Sequence, residues 1–275
     1  MDATQTIQWF PGHMAKAKRL IYEKLKLVDL IVEIVDARIP ISSRNPNFLD
    51  AAINKPRIIV LNKCDLADEN MTEKWVLSLK TENNRVFCAN CKLGKGLERF
   101  VFLAKDLLKK TKNDQIRAVI CGIPNVGKSS FINKMVGKRK AKVENRPAVT
   151  QSVGWFRMKR GVDFLDTPGI LWPKFENPKI GENLAMVGSI KHSILDNEAL
   201  AIILIEFLMA HYKDSLENRF KTDFSGFSAD RILNTIGQKR GALLSGGKIN
   251  TKRAADTILE EFRNSKLGRI TLEKI

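Results

Sequence analysis

The chain has 275 residues, with 47 Lys and Arg against 30 Asp and Glu, a formal net charge of +17. With 44% hydrophobic residues it can bury a core, which excludes an intrinsically disordered chain. The longest apolar run, Leu200 to Ala210, is broken by Glu206 and falls short of the ~20 residues of a membrane span. Residues 15–28 predict a helix, with Leu20, Ile21, Leu25 and Val28 near helical spacing and basic residues opposite. Residues 30–35 predict a buried strand ending at Asp36, residues 57–61 a second ending at Asn62, and residues 85–88 a third, followed by a helix over 97–110. Residues 117–121 predict a strand feeding a glycine loop, and 129–136 the helix behind it; 153–158 and 162–165 predict two strands turning at Arg160-Gly161. Strands alternating with helices imply an α/β domain whose mostly parallel sheet is covered on both faces. After Trp172-Pro173 only helical periodicity is found, over 182–189, 197–212, 229–238 and 251–264. Two domains are therefore expected, residues 1–175 and an all-α domain over 176–275.

The chemistry starts at Gly122-Ile123-Pro124-Asn125-Val126-Gly127-Lys128-Ser129, which matches G-x-x-x-x-G-K-[ST] between a predicted strand and a predicted helix. Its glycines let backbone N–H groups turn toward phosphate oxygens, and the helix N-terminus adds its dipole. Asn125, Val126, Gly127, Lys128, Ser129 and Ser130 are thus candidate phosphate contacts, with Lys128 reaching the β- and γ-phosphates and the Ser129 hydroxyl offered to Mg²⁺. Asp166-Thr167-Pro168-Gly169 ends a strand downstream. There Asp166 would hold Mg²⁺ through water and the Gly169 N–H would meet the γ-phosphate. Between them Thr150 is either a turn residue or a switch threonine that ligates Mg²⁺ only with the γ-phosphate present.

Asn62-Lys63-Cys64-Asp65 ends an apolar strand and supplies what a guanine pocket needs: a carboxylate for N1–H and N2–H₂, an amide, and an aliphatic stem for the ring. Adenine lacks those donors, so Asp65 would lose charge-assisted bonds worth roughly 1.5–3 kcal/mol each. Asn90-Cys91-Lys92, after the third strand, is the matching loop for the O6 side. In the usual guanine-nucleotide fold the phosphate loop precedes NKxD; here it follows, and no second NKxD comes after residue 169. The fold class expected is therefore α/β, a circularly permuted P-loop GTPase domain followed by an all-α domain, with GTP and GDP as ligands. Chain termini that lie close in space make such a permutation feasible.

The order of motifs resembles that of the circularly permuted GTPases of the YlqF/YawG group, and the likeness covers nearly the whole chain. Trp9-Phe10-Pro11-Gly12-His13-Met14 resembles the opening signature of the group, Asp36-Ala37-Arg38-Ile39-Pro40 its first strand-end motif, residues 166–173 its switch region and residues 241–250 a tail segment. One departure is Ala148, where the group often has glycine before the switch threonine. The resemblance implies assembly of the large ribosomal subunit, with the helical domain binding ribosomal RNA. Ile170 stands where many GTPases place a water-orienting glutamine, so slow intrinsic turnover and activation by ribosomal particles are expected. His13 is the candidate substitute, since the resemblance assigns its counterpart a role in hydrolysis and an imidazole suits that task; contact with RNA or a structural role is the alternative. By the same resemblance Asn125 helps hold K⁺ against the phosphates, unless it only bonds within its loop.

The excess of positive charge lies in the first 175 residues, in clusters at 16–26, 105–112 and 134–142. Nucleic acid fits these clusters better than a membrane, because residues 134–142 have few large apolar side chains to insert. A large-subunit precursor and its rRNA are the expected partners, with no membrane, no DNA and a monomeric chain. Asp2 among polar residues argues against a targeting peptide, and four cysteines without framework spacing suit the reducing cytoplasm. Cys88 and Cys91 form a lone CxxC, read as ordinary thiols, with a redox pair or a metal site as alternatives. A rival to the timed assembly factor is a nucleotide-gated RNA-binding scaffold whose hydrolysis is incidental.

Overall fold

The computed structural model describes residues 25–46, 54–111, 114–137, 155–158, 161–166, 177–190 and 196–275. Strands form at the aliphatic and β-branched runs: β1 (Leu30–Asp36), β2 (Arg57–Asn62), β3 (Asn84–Ala89), β4 (Ile116–Cys121), β5 (Trp155–Met158) and β6 (Val162–Asp166). Every residue of β1 and β2 is buried, as expected where helices cover both faces of a parallel sheet. The six strands make one sheet in the order β3-β2-β1-β4-β6-β5, parallel throughout except for the antiparallel pair β5 and β6. The first strand in sequence thus lies mid-sheet. The chain winds outward to β3 and then crosses to β4 on the other flank of β1. Such a reversal opens a crevice at the carboxyl ends of the two central strands, where ligands of open α/β sheets bind.

Helices fill the connections: α1 (Glu69–Ser78), α2 (Phe100–Leu108) behind a 3₁₀ turn over Leu97–Arg99, and α3 (Lys128–Val136). On one face of the sheet Phe100, Phe131 and Phe164 meet with ring centroids 5.4 to 5.6 Å apart, locking α2 and α3 onto β6. The predicted helix at 97–110 is therefore a 3₁₀ turn plus a shorter α-helix. Of the predicted helix at 15–28, the described part is Leu25, helical, followed by a turn.

Beyond β6 come α4 (Pro178–Met186), α5 (Asn197–His211), α6 (Lys213–Phe220), α7 (Ala229–Lys239) and α8 (Thr251–Arg263). Helix α4 starts earlier than the apolar pattern suggests, because Asn177 caps it through Lys179 N at 2.9 Å and Pro178 follows at the first helical position. Leu204, Ile205 and Leu208 of α5 pack on Ile232 and Ile236 of α7 and on Ile258, Leu259 and Phe262 of α8, all buried. Glu261 of α8 takes Arg219 of α6 and Arg240, each at 2.8 Å. Among the described residues no helix is long and apolar enough to cross a membrane. After α8 the chain turns at Ser265 and Gly268, both at positive φ, and runs back onto the sheet-bearing part, where Ile270 and Thr271 are fully buried.

Candidate functional site

The carboxyl edge of β4 carries the glycine loop. Gly122 has φ +148°, and a Cβ there would lie 2.5 Å from the Ile34 carbonyl of β1, so no side chain fits. Gly127, at φ +105°, is closed off in the same way, since a Cβ would come within 2.2 Å of Asn62 Nδ2. Ile123 and Val126 point into the core and are fully buried, which fixes the loop from below. Lys128 opens α3 and lays its ammonium over the loop, donating to the carbonyls of Gly122 (2.9 Å) and Ile123 (2.8 Å). The first N–H groups of a helix have no acceptor inside it. Those of α3 lie beside the half-buried hydroxyls of Ser129 and Ser130 and follow a loop in which no side chain fits at Gly122 or Gly127. Such a cradle, with one cation and a helix dipole, fits a polyphosphate.

Asn62, at the end of β2 and 3% exposed, binds two loops at once. Its Nδ2 donates to Val126 O at 2.6 Å, and its Oδ1 accepts from Cys91 N at 2.9 Å. The loop at Asn90 is folded on itself: Asn90 Oδ1 accepts from Leu93 N (2.9 Å), and Gly94 N donates to Asn90 O (2.7 Å). NKxD and the phosphate loop, far apart and inverted in sequence, are thus adjacent in space. Lys63 has φ +60°, and its ammonium pairs with Asp36 Oδ2 at 2.9 Å. Asp36 is fully buried and also takes Arg38 Nε (2.9 Å) and Nη2 (2.8 Å). Burial alone would raise the Asp36 carboxyl, but Arg38 and Lys63 outweigh it and hold the group well below the usual carboxylate range. Burial pulls the Lys63 ammonium down in turn, against the pull of Asp36. Asp65 itself is exposed at the mouth.

Asn125, at φ +61°, makes its side-chain hydrogen bond among the described residues outside its own loop. Its Nδ2 donates to Gly188 O at 2.9 Å, just past α4. A carbonyl only accepts, so the amide nitrogen is turned to Gly188 and the oxygen is the atom left with lone pairs for a cation. An amide oxygen is one hard ligand of the kind an alkali cation takes. Arg263 of α8 holds the same turn, donating to Met186 O and Ala185 O at 2.8 Å each. Asn62, Lys63, Cys64, Asp65, Asn90, Cys91, Asn125, Val126, Gly127, Lys128, Ser129 and Ser130 therefore converge on one edge of the sheet. Asp166 ends β6 in register with Ile120 of β4, which places its backbone there too. The Asp166 side chain, His13, Thr150 and Gly169 lie outside the described residues, as does most of the cluster at 16–26. In the cluster at 105–112, Lys110 pairs with Asp29 at 3.2 Å and Lys105 donates to Thr111 O, so part of that charge is used locally.

The cysteines are free thiols. Cys91 is fully buried, and burial raises the Cys88 thiol to about 11 and that of Cys91 further. Among the described residues no group of His, Cys, Asp and Glu is placed to hold a metal ion. A disulfide reagent at pH 8 is expected to leave Cys88 and Cys91 unmodified in the folded protein and to react with them once it is unfolded, because a thiol must first ionise. Fast reaction of the native pair would restore the redox reading.

The sequence marks Asp36 and Arg38 only as a strand-end motif; their tether on Lys63 comes from the fold. Gly188 and the segment after α8 reach the site only through the tertiary fold.

Comparison with known proteins places these features. Residues 117–236 match the family described as 50S ribosome-binding GTPase, and residues 48–176 that described as RsgA GTPase. The chain is 42% identical to ribosome biogenesis GTPase A of Priestia megaterium, over 98% of this chain and 96% of that protein. It is 35% identical to the protein of the same name from Thermotoga maritima, over 98% and 94%. Among solved structures, GNP-bound YlqF from T. maritima covers 94% of this chain and 98% of its own at 32% identity and a TM-score of 0.66. The GDP-bound structure of that YlqF gives 31% identity and a TM-score of 0.68.

Proposed function

The chain belongs to the circularly permuted GTPases of the YlqF family, and from that premise we propose that it is a timed assembly factor of the large ribosomal subunit. It is a GTPase of ribosome biogenesis; the proposal concerns what it grips and how it lets go. With GTP bound, the all-α domain (residues 176–275) and the basic face of the GTPase domain (residues 1–175) hold rRNA on an immature large subunit, as a monomer in the cytoplasm. Hydrolysis then releases the factor. Arg and Lys on that face supply phosphate contacts that position the protein rather than read sequence.

In this reading Asp65 accepts from guanine N1–H and N2–H₂, the Lys63 stem lies on the ring, and the Asn90–Cys91 loop meets O6. Lys128 and the N–H groups from Asn125 to Ser130 take the phosphates. Mg²⁺, when bound, neutralises charge on the β- and γ-phosphates, and Ser129, Thr150 and Asp166 are the residues that would hold it. Asn125 would hold K⁺, which contributes positive charge where an arginine finger otherwise stands. His13 orients the attacking water in place of the glutamine absent at Ile170, and Gly169 senses the γ-phosphate. Intrinsic turnover is slow, and ribosomal particles stimulate it by positioning His13.

The supporting observation is the pair of hydrogen bonds by which Asn62 joins the phosphate loop at Val126 to the loop at Cys91, as a single nucleotide spanning these loops would require. The scaffold alternative makes the opposite prediction for one variant. His13→Ala is expected to lower GTP turnover and to trap the protein on large-subunit precursors, seen as co-sedimentation persisting after GTP is supplied. Release at the normal rate with hydrolysis lowered would favour the scaffold and remove the timer.

A further inference from the structure

The segment after α8 is laid along the outer side of the base loop. Arg269 donates through Nε to Ala67 O at 2.8 Å and through Nη2 to Cys64 O at 3.1 Å, while its Nη1 pairs with Glu69 at 3.0 Å. The next residue continues the ladder, with Ile270 N donating to Leu66 O at 3.2 Å. Thr271 Oγ1 then accepts from Asp68 N at 3.1 Å. Cys64 and Leu66 flank Asp65, so the peptides on both sides of that carboxylate are held from this one segment. The loop adds one turn of its own, Leu66 N to Lys63 O at 2.9 Å, and Cys64 N reaches Ala89 O at the end of β3 at 3.4 Å.

The segment is itself firmly seated. Leu272 N donates to Arg38 O at 2.8 Å, and Trp75 Nε1 donates to Glu273 O at 3.1 Å. The Glu273 carboxylate accepts from Ile41 N (2.6 Å) and Ser42 N (2.8 Å), from the Ser42 hydroxyl, and from Asn183 Nδ2 of α4. Ile270 and Thr271 are fully buried. A rigid segment that contacts a specificity loop by a planar guanidinium fork constrains both position and angle, which a flexible ammonium would not. Two charge-assisted bonds from guanine to one carboxylate tolerate about 0.5 Å of misplacement.

We infer that residues 269–273 form a strap that belongs to the base-recognition apparatus, and that Arg269 is the positioning residue that sets Asp65 for guanine. The strap follows α8 after the turn at Ser265 and Gly268, so the all-α part of the chain has a covalent handle on base recognition as well as its contact with the phosphate loop at Gly188. This role rests on Asp65 being the guanine-recognising carboxylate.

The test compares GDP with inosine diphosphate, which lacks the 2-amino group and so makes one bond fewer to Asp65. In the full chain, Arg269→Ala is expected to weaken GDP binding about tenfold and inosine diphosphate about twofold, shrinking the preference roughly fivefold. A merely structural arginine would lower the melting temperature and leave that ratio unchanged, and an unchanged ratio overturns the inference. Should the alanine variant not fold, Arg269→Gln is read by the same ratio. Glu69→Gln removes the exposed ion pair and spares both carbonyl contacts, so its ratio stays that of the parent; a loss there as large as in Arg269→Ala also counts against the fork. Asp65→Asn separates the two levels, since it should turn the preference to xanthosine diphosphate. If that swap fails, the base reading itself is wrong; if it succeeds while Arg269→Ala keeps its preference, only the strap is.

Discussion

Asn62→Ala is expected to weaken GDP binding about 100-fold while the sheet stays folded. The amide is buried and bonded through both its nitrogen and its oxygen, so its removal strands Val126 O and Cys91 N together. Each unsatisfied buried partner costs ~1–3 kcal/mol. A combined ~3 kcal/mol that falls on the closed, ligand-bound arrangement corresponds to about two decades in affinity. The loss must fall on guanine and phosphate contacts alike, because Asn62 opens the base motif and also holds the phosphate loop and the Cys91 loop. Asn62→Asp sharpens the point: it can still accept from Cys91 N but cannot donate to Val126 O, and it sets an anion beside the phosphate cradle. It should bind GDP no better than the alanine variant. Calorimetric titration of both variants, with circular dichroism to confirm the fold, reads the result. An affinity within about threefold of the parent would mean that the loops are held by other contacts.

Much of this site was legible because its residues announce chemistry by type and by place. Continuous apolar runs marked β1, β2 and β4, since strands buried on both faces have no polar alternation to confuse with helix. Because β1, β2 and β4 are parallel neighbours, the motifs at their carboxyl ends lie on one edge of the sheet. Helices α1 and α6 show no period in the sequence, because α1 buries only Thr72 and Trp75 and α6 only Leu216 and Phe220. Other parts were illegible in principle. Arg38 belongs to a residue type usually found in water, yet it is 2% exposed, because Asp36 and the Phe262 ring receive it. Arg269 lies 202 residues from Ala67, whose carbonyl it holds. No local pattern encodes such a contact. Residue type marks Asn125 as a loop or cation-binding residue, whereas its bond to Gly188 depends on where α4 docks.

The Asp36 cluster gives the largest expected effect on stability. Asp36→Asn keeps the shape and removes the charge, leaving the Arg38 guanidinium buried beside Lys63 with no counter-ion. Breaking one side of a buried pair costs about 3–5 kcal/mol, in contrast to replacing the whole pair by apolar groups. For a chain of this size that is a fall in melting temperature on the order of 10 °C. The dependence on pH follows from the sign of the shift. Asp36 titrates lower in the folded protein than its ordinary value of 3.8, so its stabilisation is complete above that value and is lost as pH falls toward the folded one. Urea midpoints of parent and variant should therefore differ by a constant amount from pH 7 to about 5, and the gap should close as pH drops below about 4. A gap that persists undiminished at pH 3 would show that packing, and not the carboxylate charge, holds this corner. Because the same carboxylate tethers Lys63, the variant should also bind GDP more weakly at neutral pH, which joins the stability of the sheet edge to the guanine site through one buried atom pair.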